Sequence, residues 1–182
     1  MQMAVHVVLL RGVNLVKRNR ISMPELRSAL TAAGFRDVST YVQSGNAVLS
    51  SRASGEGVVR DVGAVIRKSF GLEITVIVRS VSELAAIVQR NPLAGIAKTP
   101  NRYLVTFLSA DLPARVADDL RAISQREPFA IVGREVYSWH PDGIGRTPLW
   151  ERLASRSLGV AATSRNWATV TALLAMAQKI GR

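Results

Sequence analysis

The chain contains no cysteine, which excludes disulfides, cysteine nucleophiles and thiolate metal sites. Its only histidines are His6 and His140, and no paired-histidine spacing or acidic cluster of the kind that holds a metal is present. No apolar run approaches the roughly 20 residues that span a bilayer. The first apolar stretch, Ala4–Leu10, begins almost at Met1 with no basic lead and no small-residue cleavage site. That argues against a signal peptide and for a cytoplasmic protein with no membrane association. Acidic residues are scarce as well, 13 Asp and Glu against 24 Lys and Arg, which leaves a net charge of +11.

What is present is an ordinary globular composition. The 182 residues are 48% hydrophobic and 20% charged, enough for one medium domain or two small ones with their own cores. Residues 1–79 carry 11 basic and 5 acidic side chains, 80–145 carry 7 of each, and 146–182 carry 6 and 1. The positive charge therefore sits at the two ends, and a basic surface of this kind favours phosphates, nucleic acid or acidic partners. Only four of the basic residues are Lys, and an Arg bias is equally a product of a GC-rich genome.

The continuous β-branched run Ala4–Leu10 reads as a buried central strand. Ser22 with Glu25 three residues on is a capping-box pattern, opening a helix from Met23 to about Ala33 that Gly34 stops. Strands are expected over Asp37–Val42 and Asn46–Ser50, joined by Gln43-Ser44-Gly45. A second helix over about Glu56–Phe70 and a β-rich run over Glu73–Arg79 follow. The order β-α-β-β-α-β is the ferredoxin-like pattern. A helix capped by Ser80 and Glu83 leads through a Gly/Pro-containing linker, and the order restarts. A strand is expected at Arg102–Ser109, then a helix with Pro113 in its first turn, ending near Gln125. A hairpin Phe129–Val132/Glu135–His140 comes next, then a helix from Pro148 to Ser157 and a short strand near Val160–Thr163. The last helix is expected over Arg165–Ile180. The expectation is an α+β chain of two tandem ferredoxin-like units with antiparallel sheets and an extra C-terminal helix. Its expected divisions are a first unit at 1–79, a linking helix and loop at 80–101, and a second unit at 102–182.

In a β-α-β-β-α-β unit the loop after the first strand and the turn between the second and third emerge at one sheet edge. That places Arg11-Gly12-Val13-Asn14 beside Gln43-Ser44-Gly45-Asn46. A helix N-terminus adds backbone N–H groups there, and Arg11, Lys17, Arg18 and Arg20 add charge. Two readings stand. Either this edge is an anion site, or Gly12, Gly45, Asn14 and Asn46 only close tight turns beneath a solvated basic surface.

A second candidate is Asp142-Gly143-Ile144-Gly145-Arg146-Thr147-Pro148, where glycines precede a Thr cap and a Pro at the first helical position. It lacks the Lys-Ser/Thr ending of a P-loop, and a well-formed helix start explains it without a ligand. A third is Ser164-Arg165-Asn166-Trp167, with Trp167 a core anchor and Arg165 and Asn166 exposed at the start of the last helix. Tyr137 with Trp139, and Tyr103 with Phe107, alternate on strands as base-stacking aromatics do. The RNP consensus is absent, and packing explains them as well. His6 reads as a packed core histidine. His140 has no serine placed as in a nucleophile elbow, and Asp118 and Asp119 read as solvated. Hydrolytic and redox chemistry thus have little support, and no cofactor or metal is implied.

The motifs Leu9-Leu10-Arg11-Gly12-Val13-Asn14, Thr40-Tyr41-Val42-Gln43-Ser44-Gly45-Asn46, Pro141-Asp142-Gly143-Ile144-Gly145-Arg146 and Ser164-Arg165-Asn166-Trp167-Ala168-Thr169-Val170 fall in order along nearly the whole chain. Together they resemble the bacterial family catalogued as domain of unknown function 1697. The resemblance implies two tandem ferredoxin-like units and no established activity. The family pattern has a Gly-Gly pair where this chain has Val16-Lys17.

The function expected from these features is binding of a phosphate-bearing partner, nucleic acid or a phosphorylated small molecule, at a basic loop edge. Arg11, Asn14, Arg18, Arg20, Gln43, Ser44 and Asn46 would form it, with Arg146, Arg165 and Asn166 as a second group. The alternatives are an enzyme acting on a small anionic metabolite through Arg and backbone electrostatics, with Arg11 and Arg165 as clamps, and a protein-interaction module.

Overall fold

The computed structural model describes residues 2–14, 20–124, 126–145 and 147–181. The β-branched run forms strand β1, Ala4–Leu10, in which every residue from His6 to Leu10 is buried. Both faces of the strand are therefore covered, as a run without alternation requires. Helix α1 (Met23–Ala32), strands β2 (Arg36–Tyr41) and β3 (Asn46–Ser51), helix α2 (Gly55–Phe70) and strand β4 (Val76–Ser80) follow. The strands form an antiparallel sheet in the order β2-β3-β1-β4. One face of it, with Val8, Leu10, Ala47 and Leu49, packs on Leu26, Leu30, Val58, Val62 and Ile66 of the two helices. Each such side chain contributes about 1.5–3 kcal/mol by leaving water. Ser54 caps α2 through Gly57 N–H, and Gly71, at φ +64°, closes it.

Helix α3 (Val81–Arg90) starts directly from β4. The capping box expected at Ser80 and Glu83 forms: Ser80 N donates to Glu83 Oε2 at 2.7 Å and Glu83 N to Ser80 Oγ at 3.2 Å. The one expected at Ser22 does not, since Ser22 makes no side-chain cap bond to α1. The chain entering α1 is held instead by Asn14, which bonds both backbone groups of Ile21.

A 3₁₀ turn, Pro100–Arg102, opens the second run: β5 (Tyr103–Leu108), α4 (Ala114–Ile123), β6 (Phe129–Val132), β7 (Glu135–Trp139), α5 (Pro148–Ala154) and β8 (Ala162–Asn166), followed by α6 (Trp167–Ile180). Its sheet is again antiparallel, in the order β6-β7-β5-β8. Leu108 and Val136 of the sheet pack on Val116, Leu120, Leu149 and Leu153. The chain is thus α+β, with two four-stranded antiparallel sheets and six helices among the described residues.

Several boundaries differ from expectation. Pro113 stands at the cap of α4 rather than in its first turn, and α5 stops at Ala154 rather than Ser157. β4 begins at Val76, not Glu73. The last strand runs to Asn166 because its pairing with β5 continues from Leu108↔Ala162 to Leu104↔Asn166. Asn166 Oδ1 then accepts Thr169 N–H at 2.9 Å, capping α6.

Two compact units divide the chain. One comprises residues up to Ala86 with those from Thr171 onward, and the other is Ile87–Val170. The later part of α6 belongs to the first unit, where Gly181 lies beside Val5. Among the described residues no helix is long and apolar enough to cross a membrane.

Candidate functional site

At the end of β1 the sheet draws two other segments alongside. Leu10 N donates to Gly45 O at 2.8 Å and Arg11 N to Thr75 O at 3.0 Å. The loop after β1 and the β2–β3 turn therefore meet, as the antiparallel pairing of β1 with β3 demands. Gly45 has φ +74°, and a Cβ there would lie 2.8 Å from Leu10 Cβ, so both conformation and space call for glycine.

Asn14, itself at φ +58°, is the clamp of this edge. Its Nδ2 donates to Ile21 O at 2.9 Å and to Gln43 O at 2.7 Å, and its Oδ1 accepts Ile21 N–H at 2.9 Å. One side chain closes its own loop and ties it to the neighbouring turn. Asn46 is fully buried and donates to Tyr41 O at 3.1 Å and Ser44 Oγ at 2.9 Å. Turn closure accounts for these bonds of both asparagines. Around them Arg20, Gln43 and Ser44 are exposed and Arg11 is half-buried. Arg18, Lys17 and Val16 lie outside the described residues.

The second group is not the exposed cluster expected. Arg146 lies outside the described residues. Arg165 is a strand residue, 8% exposed, and donates from one guanidinium nitrogen to Thr163 Oγ1 and Ser164 O, each at 2.8 Å. Burial pushes its pKa down to about 10, which still leaves it charged at neutral pH. Asn166 caps α6 and donates to Asn101 Oδ1 at 3.3 Å. Thr147 does cap α5, accepting Trp150 N–H at 3.3 Å ahead of Pro148.

Of the four aromatic strand residues, Tyr103, Phe107 and Tyr137 are buried and offer no stacking surface, while Trp139 is half-buried. Tyr103 stacks on Trp167 with ring centroids 4.8 Å apart, and Tyr137 donates to Ile87 O at 3.1 Å. Burial raises both phenols, that of Tyr103 to about 12, and the nearby Glu135 adds to the rise at Tyr137. His6 is a core residue, as expected, with neither ring nitrogen hydrogen-bonded and its pKa lowered by burial.

One cluster has no counterpart in the sequence reading. Ser138 and His140 are two apart along β7 and its end, so they share a face. Trp139 N donates to Pro128 O at 2.8 Å, continuing the β6–β7 pairing one step and setting Glu127 beside His140. His140 Nδ1 donates to Glu127 Oε1, and Ser138 Oγ lies 3.0 Å from His140 Nε2. Ser138 and His140 are fully buried, and Trp150 stands edge-on to the imidazole. The signal available in the sequence is the i, i+2 spacing of Ser138 and His140 opposite a glutamate two residues before a hairpin strand.

These features define an α+β protein of two antiparallel sheets. The profile of the family described as "Protein of unknown function (DUF1697)" matches residues 3–137, and the chain belongs to that family. In fold it is similar to the conserved bacterial protein SP0830 from Streptococcus pneumoniae. The TM-score is 0.79 at 21% identity, covering 96% of this chain and 99% of that one. No curated protein matches the chain.

Proposed function

We propose that the chain binds a phosphate-bearing partner, nucleic acid or a phosphorylated small molecule, at the edge where the loop after β1 meets the β2–β3 turn. Each half of the chain is read as a ferredoxin-like unit, and the location as cytoplasmic. The observation that carries the reading is the Asn14 clamp. By bonding Ile21 and Gln43 together, it fixes three separate segments into one edge that bears Arg11, Arg20, Gln43 and Ser44. Holding the segments together costs less order on binding than gathering them around an anion would. Arg11 and Arg20 supply charge, Gln43 and Ser44 neutral hydrogen bonds, and Asn14 and Asn46 act by positioning. In the second group Arg165 is buried in strand β8 and Asn166 caps α6.

The test is fluorescence anisotropy of labelled single- and double-stranded DNA and RNA, with inorganic phosphate and nucleotides as competitors. The expected result is binding that Arg20→Ala weakens and phosphate or nucleotide displaces. Binding unchanged by Arg11→Ala and Arg20→Ala would refute this site.

A further inference from the structure

A concavity lies wholly within the Ile87–Val170 unit. Its volume is about 560 Å³, within the span of small-molecule sites. Ala122 and Ile123 from the end of α4 and Pro148 from the start of α5 supply apolar walls. Glu127 is a buried charged residue of the lining, at 8% exposure, while Arg126 and Asp142 are exposed. In a chain of net charge +11, this described lining carries two carboxylates to one guanidinium.

The Glu127 carboxylate is held in place from behind. His140 Nδ1 donates to its Oε1, and Ser138 stands against the far side of the same imidazole. Glu127 is thus both a lining residue of the cavity and the hydrogen-bond partner of a fully buried imidazole. A buried acceptor already held by a two-residue relay costs little to order around a donor. Set against an apolar wall, it favours a cation, which forms a charge-assisted hydrogen bond, over a neutral donor, which forms a weaker one, and over an anion, which it repels.

We propose that this cavity is a binding site for a small organic amine, its ammonium on the Glu127 carboxylate held by His140 and its apolar body against Ala122, Ile123 and Pro148.

The experiment is an amide-detected NMR titration of the full chain with three probes of one shape: phenethylamine, 2-phenylethanol and phenylacetate. Phenethylamine is expected to give saturable shifts at Ala122, Ile123 and Gly143. The alcohol and the acid should bind about tenfold or more weaker, the scale of one charge-assisted hydrogen bond. Glu127→Gln should bring the amine down to the alcohol's affinity. If circular dichroism shows that Glu127→Gln does not fold, Ala122→Phe decides: it fills the cavity from the exposed side of α4 and should abolish the amine shifts. The proposal is overturned by phenylacetate binding as tightly as the amine, by unchanged amine affinity in a folded Glu127→Gln, by shifts that survive Ala122→Phe, or by no saturable shift with phenethylamine.

Discussion

Arg79 and Arg165 occupy the same place in their respective sheets. β4 starts at Val76 opposite Leu10, and Arg79 three residues on faces Val7. β8 starts at Ala162 opposite Leu108, and Arg165 three residues on faces Val105. Both arginines are buried, at 2% and 8% exposure, and both bond the carbonyl of the residue before them. A guanidinium taken out of water must be compensated by fixed acceptors, so each is a structural anchor. Arg165→Ala is expected to cost about 2–3 kcal/mol, read by urea unfolding through the fluorescence of Trp167, and Arg79→Ala a similar amount by circular dichroism. A loss of about 0.5 kcal/mol or less, the range of an ordinary surface change, would refute the anchoring role.

The Asn14–Gly45 junction is expected to be intolerant for separable reasons. Gly45→Ala meets both a left-handed backbone and the 2.8 Å approach to Leu10 Cβ, and should lower stability by about 1–3 kcal/mol. Asn14→Ala removes three hydrogen bonds and puts alanine at φ +58°, with a loss of about 2 kcal/mol. Thermal and urea melts measure both. If Asn14→Gly, which relieves the backbone and not the bonds, recovers full stability, the clamp is not the cause.

The two serine starts should behave differently. Ser80→Ala breaks the formed capping box of α3 and should cost about 1 kcal/mol. Ser22→Ala removes no capping bond from α1 and should fall within about 0.5 kcal/mol of wild type. Equal losses would contradict the assignment.

That contrast shows what the sequence could tell. Both starts carry the same serine and glutamate spacing, and local pattern cannot say which side chain a more distant residue will replace. Asn14, seven residues before Ile21, decides it. Element order was legible because β-branched runs, Gly stops and hairpin glycines are local signals, and the meeting of the two loops followed from antiparallel pairing. Arg165 was misplaced because a strand passing directly into a helix leaves no turn residue to mark the boundary, and a polar Ser-Arg-Asn run hides its pairing with buried β5. The contact of Glu127 with His140 is not legible in the sequence because it depends on register across a hairpin, which no single-strand pattern contains.

His6 is expected to make the fold sensitive to acid. Burial lowers its pKa from the ordinary 6.5, against smaller opposing effects from the Ala53 backbone and Glu83. Between the folded value and 6.5 the unfolded chain binds more protons, so stability rises with pH through that window and is lost as pH falls below 6.5. Melts of wild type and His6→Leu at about pH 7.5 and about pH 5 should show a smaller acid drop in the variant. Parallel drops would show that this imidazole does not control the acid limb.

The binding of a phosphate-bearing partner at the Arg11–Arg20 edge is tested most directly by the salt dependence of duplex DNA affinity in wild type and in the Arg11→Ala/Arg20→Ala double variant. If each arginine neutralises one phosphate, the slope of log affinity against log salt should flatten by about 1.8 in the double variant. Identical slopes in the two proteins, or wild-type binding that vanishes by physiological salt, would contradict nucleic-acid binding at this edge.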